Sequence, residues 1–202
     1  MKLYYSPGAC SLSPHIALRE AGLDFELVRV DLAAKKTATN ADYLAINPKG
    51  YVPALQLDDG QVITEGPAIV QYVADCAPGK GLAPAAGSLE RVRLQEWLTF
   101  IGTELHKSFG AFFNPKTPDD WKTFVRDLLG KRLGYIARQL EGRDFLMGSQ
   151  FSVADCYLYT VLNWTPYANV DLAQWPVFAA YQARISARPA VQAALKAEGL
   201  VK

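Results

Sequence analysis

A stretch near the start of the chain decides the fold: Leu3-Tyr4-Tyr5-Ser6-Pro7-Gly8-Ala9-Cys10-Ser11-Leu12-Ser13-Pro14, followed by His15-Ile16-Ala17-Leu18-Arg19-Glu20-Ala21-Gly22. Its apolar beginning predicts a strand, the Ser-Pro-Gly segment predicts a tight turn, and the second part predicts a helix that stops at Gly22. Ser11 and Ser13 are both candidate N-caps of this helix. The pattern therefore places Cys10 at a helix N-terminus.

Cys10 is the first candidate reactive residue. A thiol at a helix N-terminus faces unpaired N–H groups and the positive end of the helix dipole, so its pKa is expected to fall from about 8.5 into the range of about 3.5 to 7.5. The third residue after it is Ser13, so a disulfide of Cys10 would need a partner from outside this turn. On this stretch alone, Cys10 could equally be a small apolar packing residue.

The composition excludes several kinds of partner. The chain has 202 residues, half of them apolar, and a formal net charge of +1 with both signs mixed along its length. Such a balance favours neither nucleic acid nor an anionic membrane as partner, and no apolar run approaches the length of a membrane span. Three cysteines, an odd number, agree with a reducing compartment. We therefore expect a cytoplasmic protein in which Cys76 and Cys156 are packing residues.

The segment after the first helix predicts further strands. Residues 25–30 read as a second strand, which completes a β-α-β unit with parallel strands. Residues 51–57 and 61–64 flank Asp58-Asp59-Gly60 and predict an antiparallel hairpin. Pro53, at the head of that hairpin, requires an edge, a strand start or a cis Val52–Pro53 bond, and the sequence does not decide among these.

Two segments lead from the strands to the second half of the chain. Glu65-Gly66-Pro67 opens a helix that extends to Cys76, and its bare N–H groups suit a carboxylate ligand. Residues 77–87 are rich in Pro, Gly and Ala and form the candidate linker.

The second half predicts helices only. Residues 88–113 have a buried apolar stripe at helical spacing and a polar face that carries Thr99, Thr103 and His106, flanked by Glu104 and Lys107. A second helix follows up to residue 141, and Ser152-Val153-Ala154-Asp155 is a capping box that opens an apolar, central helix. Two helices, at residues 177–187 and 190–198, close the chain.

The chain resembles bacterial glutathione S-transferases of the beta class over essentially its whole length. The stretches that carry this resemblance are Met1-Lys2-Leu3-Tyr4, Ser6-Pro7-Gly8-Ala9-Cys10-Ser11, Asn47-Pro48, Val52-Pro53-Ala54-Leu55, Glu65-Gly66-Pro67-Ala68-Ile69, Leu105-His106-Lys107 and Ser152-Val153-Ala154-Asp155. The resemblance implies an α/β plus all-α architecture: a thioredoxin-like, glutathione-binding domain at residues 1–78 and an all-helical domain at residues 88–202 that contributes the electrophile site. It also implies a homodimer.

The resemblance implies roles for individual residues. Cys10 would face the glutathione sulfur and could form a mixed disulfide with it, while His106 would donate to that sulfur, which makes these two the catalytic candidates. The other residues implied in glutathione binding are Lys35 for the glycyl carboxylate, Val52 for the cysteinyl amide, Glu65 and Gly66 for the γ-glutamyl end, and Thr99, Thr103 and Glu104 on the polar helix face, partly toward the partner subunit. The family commonly has serine at position 66 and asparagine at position 99, so the corresponding hydroxyl and amide contacts would be lost or replaced by water.

The implied activity is conjugation of the glutathione thiolate to small hydrophobic electrophiles, a detoxification reaction with glutathione as co-substrate and no bound cofactor. Two histidines and three scattered cysteines offer no metal-ligand spacing, so no metal site is expected. Three alternatives stay open. Cys10 could be the nucleophile of a glutaredoxin-like thiol-disulfide oxidoreductase. The chain could be a glutathione-dependent reductive dehalogenase, because it looks nearest to transferases encoded with aromatic-degradation pathways, or a non-catalytic ligand-binding protein. His15 is interpreted as a surface or packing histidine.

Overall fold

The computed structural model describes residues 1–201 and divides into two compact units. The first unit comprises Met1–Ala83 together with the segment that begins at Ala187, and the second comprises Pro84–Ser186. None of the helices among residues 1–201 is long and apolar enough to cross a membrane.

The first unit is built on a five-stranded sheet. Its strands are β1 (Lys2–Tyr5), β2 (Glu26–Asp31), β3 (Lys36–Thr37), β4 (Ala54–Gln56) and β5 (Val62–Thr64), in the order β3-β2-β1-β4-β5. β1 runs parallel to β2, with Leu3 opposite Leu27, and antiparallel to β4, which is itself antiparallel to β5. The β-α-β unit and the hairpin are thus confirmed, although the hairpin strands are shorter than predicted.

Two helices of the first unit follow strands of the sheet. They are α1 (Leu12–Ala21) after β1 and α2 (Gly66–Cys76) after β5. α1 ends at Gly22 in the left-handed conformation, as the sequence predicts. Ser11 occupies the N-cap position without capping the helix, because its hydroxyl exchanges hydrogen bonds with the backbone of Ser6 instead. Ser13 lies within the helix and its buried hydroxyl has no hydrogen-bond partner.

The second unit is helical. It contains α3 (Leu89–Phe100), α4 (Lys107–Phe113), α5 (Asp119–Leu140), α6 (Val153–Leu162) and α7 (Val177–Ser186), with a π-helical segment, Ile101–His106, between α3 and α4. The sequence predicts one uninterrupted α-helix over residues 88–113. This is wrong in one respect, because the π segment interrupts the α-helical geometry. The apolar stripe itself is confirmed, since Leu94, Leu98, Ile101, Leu105 and Phe109 are all buried.

The capping box of α6 is confirmed. The Asp155 carboxylate accepts hydrogen bonds from the Ser152 backbone N–H and hydroxyl, both at 2.9 Å. It also accepts from the Leu146 N–H and the Tyr181 hydroxyl. All residues of α6 are buried, as expected for a helix that is apolar on every side.

The last helix, α8 (Pro189–Ala197), packs against α1 and so belongs to the first unit. The prediction assigns residues 88–202 to a single helical domain, and the structure differs at this end of the chain. The bidentate ion pair between Arg188 and Glu20, at 2.6 and 2.8 Å, ties the start of α8 to α1. Contacts of this kind join residues far apart in sequence, which is why helical patterning does not reveal them.

Candidate functional site

Cys10 lies just before α1, with its side chain directed at the segment that precedes β4. Its Sγ lies 3.1 Å from the backbone oxygen of Val52, and the Val52–Pro53 peptide bond is cis. The first turn of α1 and the start of β4 are neighbours because β1 and β4 pair in the sheet. The predicted placement of Cys10 at the helix mouth is therefore confirmed.

The predicted activation of Cys10 is not confirmed. Burial raises the pKa of the Cys10 thiol to about 12, because removal from water disfavours the thiolate. The backbone N–H groups of Cys10 and Ser11 act in the opposite direction and compensate only in part, while the negative charge of Glu65 raises the pKa further. The helix terminus can be recognised from the sequence, whereas burial, which has the larger effect on the Cys10 pKa, depends on the folded chain.

The loop between a short 3-10 helix, Tyr43–Ala45, and β4 holds Val52 in place. The Tyr51 backbone oxygen accepts hydrogen bonds from Asn47 Nδ2 at 2.7 Å and from the Tyr43 hydroxyl at 3.0 Å. Lys35 Nζ donates to the backbone oxygen of Gly50 at 2.6 Å. Lys35, predicted to meet a glycyl carboxylate, thus lies beside the same loop as Val52.

Glu65 occupies the N-cap of α2 with an unusual backbone conformation, φ 68° and ψ 114°. Its Oε1 accepts hydrogen bonds from Lys49 Nζ at 2.5 Å and from the Tyr51 hydroxyl at 3.0 Å. The Glu65 side chain is more than half exposed, so its carboxylate is reachable from solvent. Gly66 begins α2, and its N–H belongs to the first turn, where an anion is favoured.

His106 ends the π segment of the second unit and is half-buried. Its Nδ1 lies 2.6 Å from the Tyr157 hydroxyl, and its ring meets the Trp164 indole edge-on with centroids 4.9 Å apart. An aromatic cluster continues from Trp164 to Phe113 and Tyr167, with centroid distances of 5.7 and 5.9 Å along that chain of rings. His106 is therefore set in aromatic surroundings.

Thr99, Thr103 and Glu104 surround the same π segment. Thr99 and Thr103 are exposed, and the Thr103 hydroxyl donates to the Thr99 backbone oxygen at 3.0 Å. Glu104 pairs with Arg132 of α5. Because a π turn takes up more residues than an α turn, the helical spacing that aligned Thr99, Thr103 and His106 does not hold across it.

The predicted site residues are divided between the two units. Cys10, Lys35, Val52, Glu65 and Gly66 belong to the first unit, whereas Thr99, Thr103, Glu104 and His106 belong to the second. Four residues that contact the candidates are not predicted from the sequence: Lys49, Tyr51, Tyr157 and Trp164. Lys49 and Tyr51 stand next to the Asn47-Pro48 motif, which could have drawn attention to them, but no local signal marks Tyr157 as a partner of His106.

Cys76, Cys156 and His15 differ in their exposure to solvent. Cys156 is buried, as predicted, but Cys76 is exposed at the end of α2, so its interpretation as a packing residue is wrong. His15 is fully buried and contacts Glu198 and Arg19, so it is a packing histidine with polar partners. Within residues 1–201, no group of three or more His, Cys, Asp and Glu side chains could hold a metal ion.

Comparison with protein families assigns both parts of the chain. Residues 8–76 match the family model of the glutathione S-transferase N-terminal domain, and residues 103–198 match that of the glutathione S-transferase C-terminal domain. Among curated proteins, glutathione S-transferase GstA of Escherichia coli O157:H7 is 49% identical over 200 residues, which cover 99% of this chain and 100% of that protein.

Solved structures agree with the family models. BphK, described as a bacterial glutathione S-transferase and solved as a ternary complex, is 66% identical with a TM-score of 0.97, covering 98% of this chain and 100% of its own. A sphingomonad glutathione S-transferase complexed with glutathione is 53% identical with a TM-score of 0.96, and a beta-class enzyme from Sphingomonas chungbukensis is 49% identical with the same TM-score. Both cover 100% of this chain and of their own.

Proposed function

Because the chain belongs to the glutathione S-transferase family, it is a glutathione-dependent transferase, and we propose that it conjugates the glutathione thiolate to small hydrophobic electrophiles. The observation that carries the proposal of conjugation is the placement of Cys10, whose Sγ lies 3.1 Å from the Val52 backbone oxygen and which has Ser13, not a second thiol, three residues on. A thiol with a pKa raised to about 12 is protonated near neutral pH, so it can donate its S–H but is a poor nucleophile. This supports a role for Cys10 beside the glutathione sulfur and argues against the glutaredoxin-like alternative.

The first unit supplies the proposed contacts to glutathione. Val52 offers backbone hydrogen bonds to the cysteinyl amide, and Lys35 offers its ammonium group to the glycyl carboxylate. At the start of α2, Glu65 takes the γ-glutamyl ammonium group while the Gly66 N–H takes the carboxylate. Two charged ends of one small ligand thereby meet two groups of opposite charge.

In the second unit, we assign His106 to the sulfur and the aromatic cluster to the electrophile. An N–H of His106 would stabilise the glutathione thiolate by hydrogen bonding, which lowers the cost of removing the thiol proton. Phe113 and Tyr167 are 51% and 69% exposed, although both rings contact the same aromatic cluster as His106. Exposed rings in this place favour an apolar, flat electrophile.

The chemical step then requires little of the protein beyond orientation and electrostatics. The glutathione thiolate attacks an electrophilic carbon, the new C–S bond forms, and a leaving group such as chloride departs with its electron pair. Cys10 can also form a mixed disulfide when oxidised glutathione is supplied: its thiolate attacks one sulfur of the disulfide, the S–S bond breaks, and one glutathione thiolate leaves. Because burial raises the pKa of Cys10, only a small fraction is thiolate near neutral pH and this exchange is slow.

Two further features, the oligomeric state and the location of the protein, are also proposals. We propose a homodimer in which Thr99, Thr103 and Glu104 lie toward the partner subunit; the exposed apolar side chains of Leu89 and Val92 on α3 support an interface there. We also place the protein in the cytoplasm, where its three free cysteines would stay reduced.

The experiment that tests the function measures three rates on the purified protein with glutathione. The substrates are 1-chloro-2,4-dinitrobenzene for conjugation, a mixed disulfide for reduction, and a chlorinated aromatic acid for dehalogenation. Conjugation should persist in Cys10→Ala, because His106 still stabilises the thiolate, and Cys76→Ala should behave as wild type. Loss of conjugation in Cys10→Ala with unchanged glutathione binding would contradict the proposed mechanism, and disulfide reduction as the sole activity would replace it with the oxidoreductase.

A further inference from the structure

Tyr157 makes a short hydrogen bond to the histidine proposed to act on sulfur. Its hydroxyl oxygen lies 2.6 Å from His106 Nδ1, and the two rings meet edge-on with centroids 5.8 Å apart. Tyr157 belongs to α6 and is only 4% exposed. A buried hydroxyl at this distance has a fixed partner, because an unpaired one would lose its hydrogen bonds to water.

The surroundings hold this pair in one arrangement. α6 is buried along its whole length and is fixed at its start by the hydrogen bonds to Asp155. On the other side, the π segment packs against the phenol at Gly102, where a Cβ would make an ordinary contact of 3.5 Å with the Tyr157 hydroxyl oxygen. Trp164 meets the imidazole edge-on, so the plane of the ring is restricted as well.

We propose that Tyr157 donates its hydroxyl proton to Nδ1 of His106 and thereby holds the neutral imidazole in the tautomer that carries its proton on Nε2. A neutral imidazole has one donor and one acceptor nitrogen, and the bond made by one nitrogen sets the state of the other. With Nδ1 accepting from Tyr157, Nε2–H becomes the donor. In the opposite tautomer Nε2 would carry a lone pair, which repels a thiolate.

Tyr157 is therefore a positioning residue, and its importance for catalysis rests on the proposed function of His106. Its effect on the tautomer does not, since that depends only on the proposed direction of the hydrogen bond between Tyr157 and His106. The two parts can be tested separately, by a spectroscopic measurement on the ligand-free protein and by kinetics.

The spectroscopic test uses the imidazole nitrogen signals in NMR of protein labelled with 15N-histidine. The chain contains only two histidines, so His106→Asn assigns both signals. His15 serves as internal reference, because Arg19 Nε donates to its Nε2 at 2.8 Å and Glu198 faces its Nδ1, which fixes its proton on Nδ1. His106 should show the Nε2–H tautomer in wild type and a mixture of tautomers in Tyr157→Phe, with His15 unchanged. An Nδ1–H signal in wild type, or an unchanged pattern in Tyr157→Phe, would overturn the proposal.

The kinetic test compares Tyr157→Phe with Tyr159→Phe. Tyr159 lies on the same helix and pairs with Ser186 at 2.9 Å, so the control loses a hydroxyl of α6 without touching His106. Tyr157→Phe should lower kcat for conjugation about tenfold, the effect of one lost hydrogen bond, with the KM for glutathione unchanged. The same fall in Tyr159→Phe would reduce Tyr157 to a structural role.

The double variant Tyr157→Phe/His106→Asn should be no slower than His106→Asn, because the hydroxyl acts only through the imidazole. If the double variant were slower than His106→Asn by the full effect of Tyr157→Phe, Tyr157 would act on the reaction independently of His106. Full activity of His106→Asn would overturn the proposed function of His106, whereas the tautomer would still be decided by the NMR signals.

Discussion

Nδ1 of His15 lies 2.8 Å from Oε1 of Glu198, although the two residues are 183 positions apart in the chain. The other carboxylate oxygen of Glu198 accepts a hydrogen bond from the Gly8 backbone N–H at 2.9 Å. The segment after α8 is thereby tied both to α1 and to the turn that leads to Cys10. This explains why the last helix of the chain belongs to the first unit.

Replacing Glu198 with alanine should destabilise the protein strongly. The change removes the carboxylate that faces the buried His15 ring and accepts from the Gly8 N–H, and removal of one partner of a buried pair costs about 3–5 kcal/mol. The free energy of unfolding in urea measures the loss. Glu26→Ala is the matched control, since Glu26 pairs with Lys2 on the surface at 3.3 Å and should matter little. Equal stability of both variants would show that the buried contact contributes nothing.

Local patterns in the sequence predicted most of the fold. The β-α-β unit follows from residues 3–30, and the capping box at Ser152 and Asp155 is readable because helix capping involves residues three positions apart. The π segment is not readable in this way, since its residues, Ile101–His106, also satisfy the spacing of an ordinary helix. The segment packs against both α5 and α6, and no local pattern encodes these contacts.

The parts of the candidate site that could not be predicted depend on distant residues. His15 with Glu198, and His106 with Tyr157, are pairs that only the folded chain brings together. The predicted lowering of the Cys10 pKa is wrong for a related reason, because burial depends on all the residues around the thiol and not on the helix terminus alone. The position of Cys10 before α1 is thus predictable from the sequence, whereas the direction of its pKa shift is not.

The raised pKa of Cys10 predicts slow alkylation near neutral pH. Thiolate is the reactive form, and its fraction grows about tenfold per pH unit below the pKa, so alkylation of Cys10 by iodoacetamide should keep accelerating up to the highest pH at which the protein is folded. The exposed Cys76 should react first at pH 8, and the buried Cys156 last. Mass spectrometry of the digested protein measures each rate. Fast reaction of Cys10 at pH 6–7 would show that the helix terminus prevails over burial.

Ser152→Ala should lower the stability without affecting glutathione binding. The Ser152 hydroxyl donates to Asp155 at 2.9 Å inside the protein, and loss of such a cap costs about 0.5–2 kcal/mol. Urea unfolding gives the stability, and calorimetry gives the affinity of the folded variant. A stable variant that has lost glutathione binding would show that Ser152 takes part in binding and is not a purely structural residue.

Glu65→Gln should weaken glutathione binding. A charge-assisted hydrogen bond to the ligand ammonium group would be lost, at a cost of about 1.5–3 kcal/mol, which calorimetry can detect. Lys49→Met should act in the opposite direction, because Lys49 occupies Glu65 Oε1 in the ligand-free protein and competes for it. Lys2→Met controls for the loss of one surface cation. An affinity that does not change in Glu65→Gln would remove Glu65 from the site.

Gly66→Ser should strengthen glutathione binding. Gly66 is not among the glycines with positive φ, and a Cβ there would find only Pro53 Cγ, at an ordinary contact distance of 3.9 Å, so the substitution fits without strain. The added hydroxyl lies at the start of α2, where the γ-glutamyl carboxylate is expected, and one new hydrogen bond contributes about 0.5–1.5 kcal/mol. Gly66→Ala is the matched control: both variants restrict the unfolded chain by a similar amount, so the difference in calorimetric affinity between serine and alanine isolates the hydroxyl. Equal affinities of the two variants would mean that the carboxylate does not lie at this helix terminus.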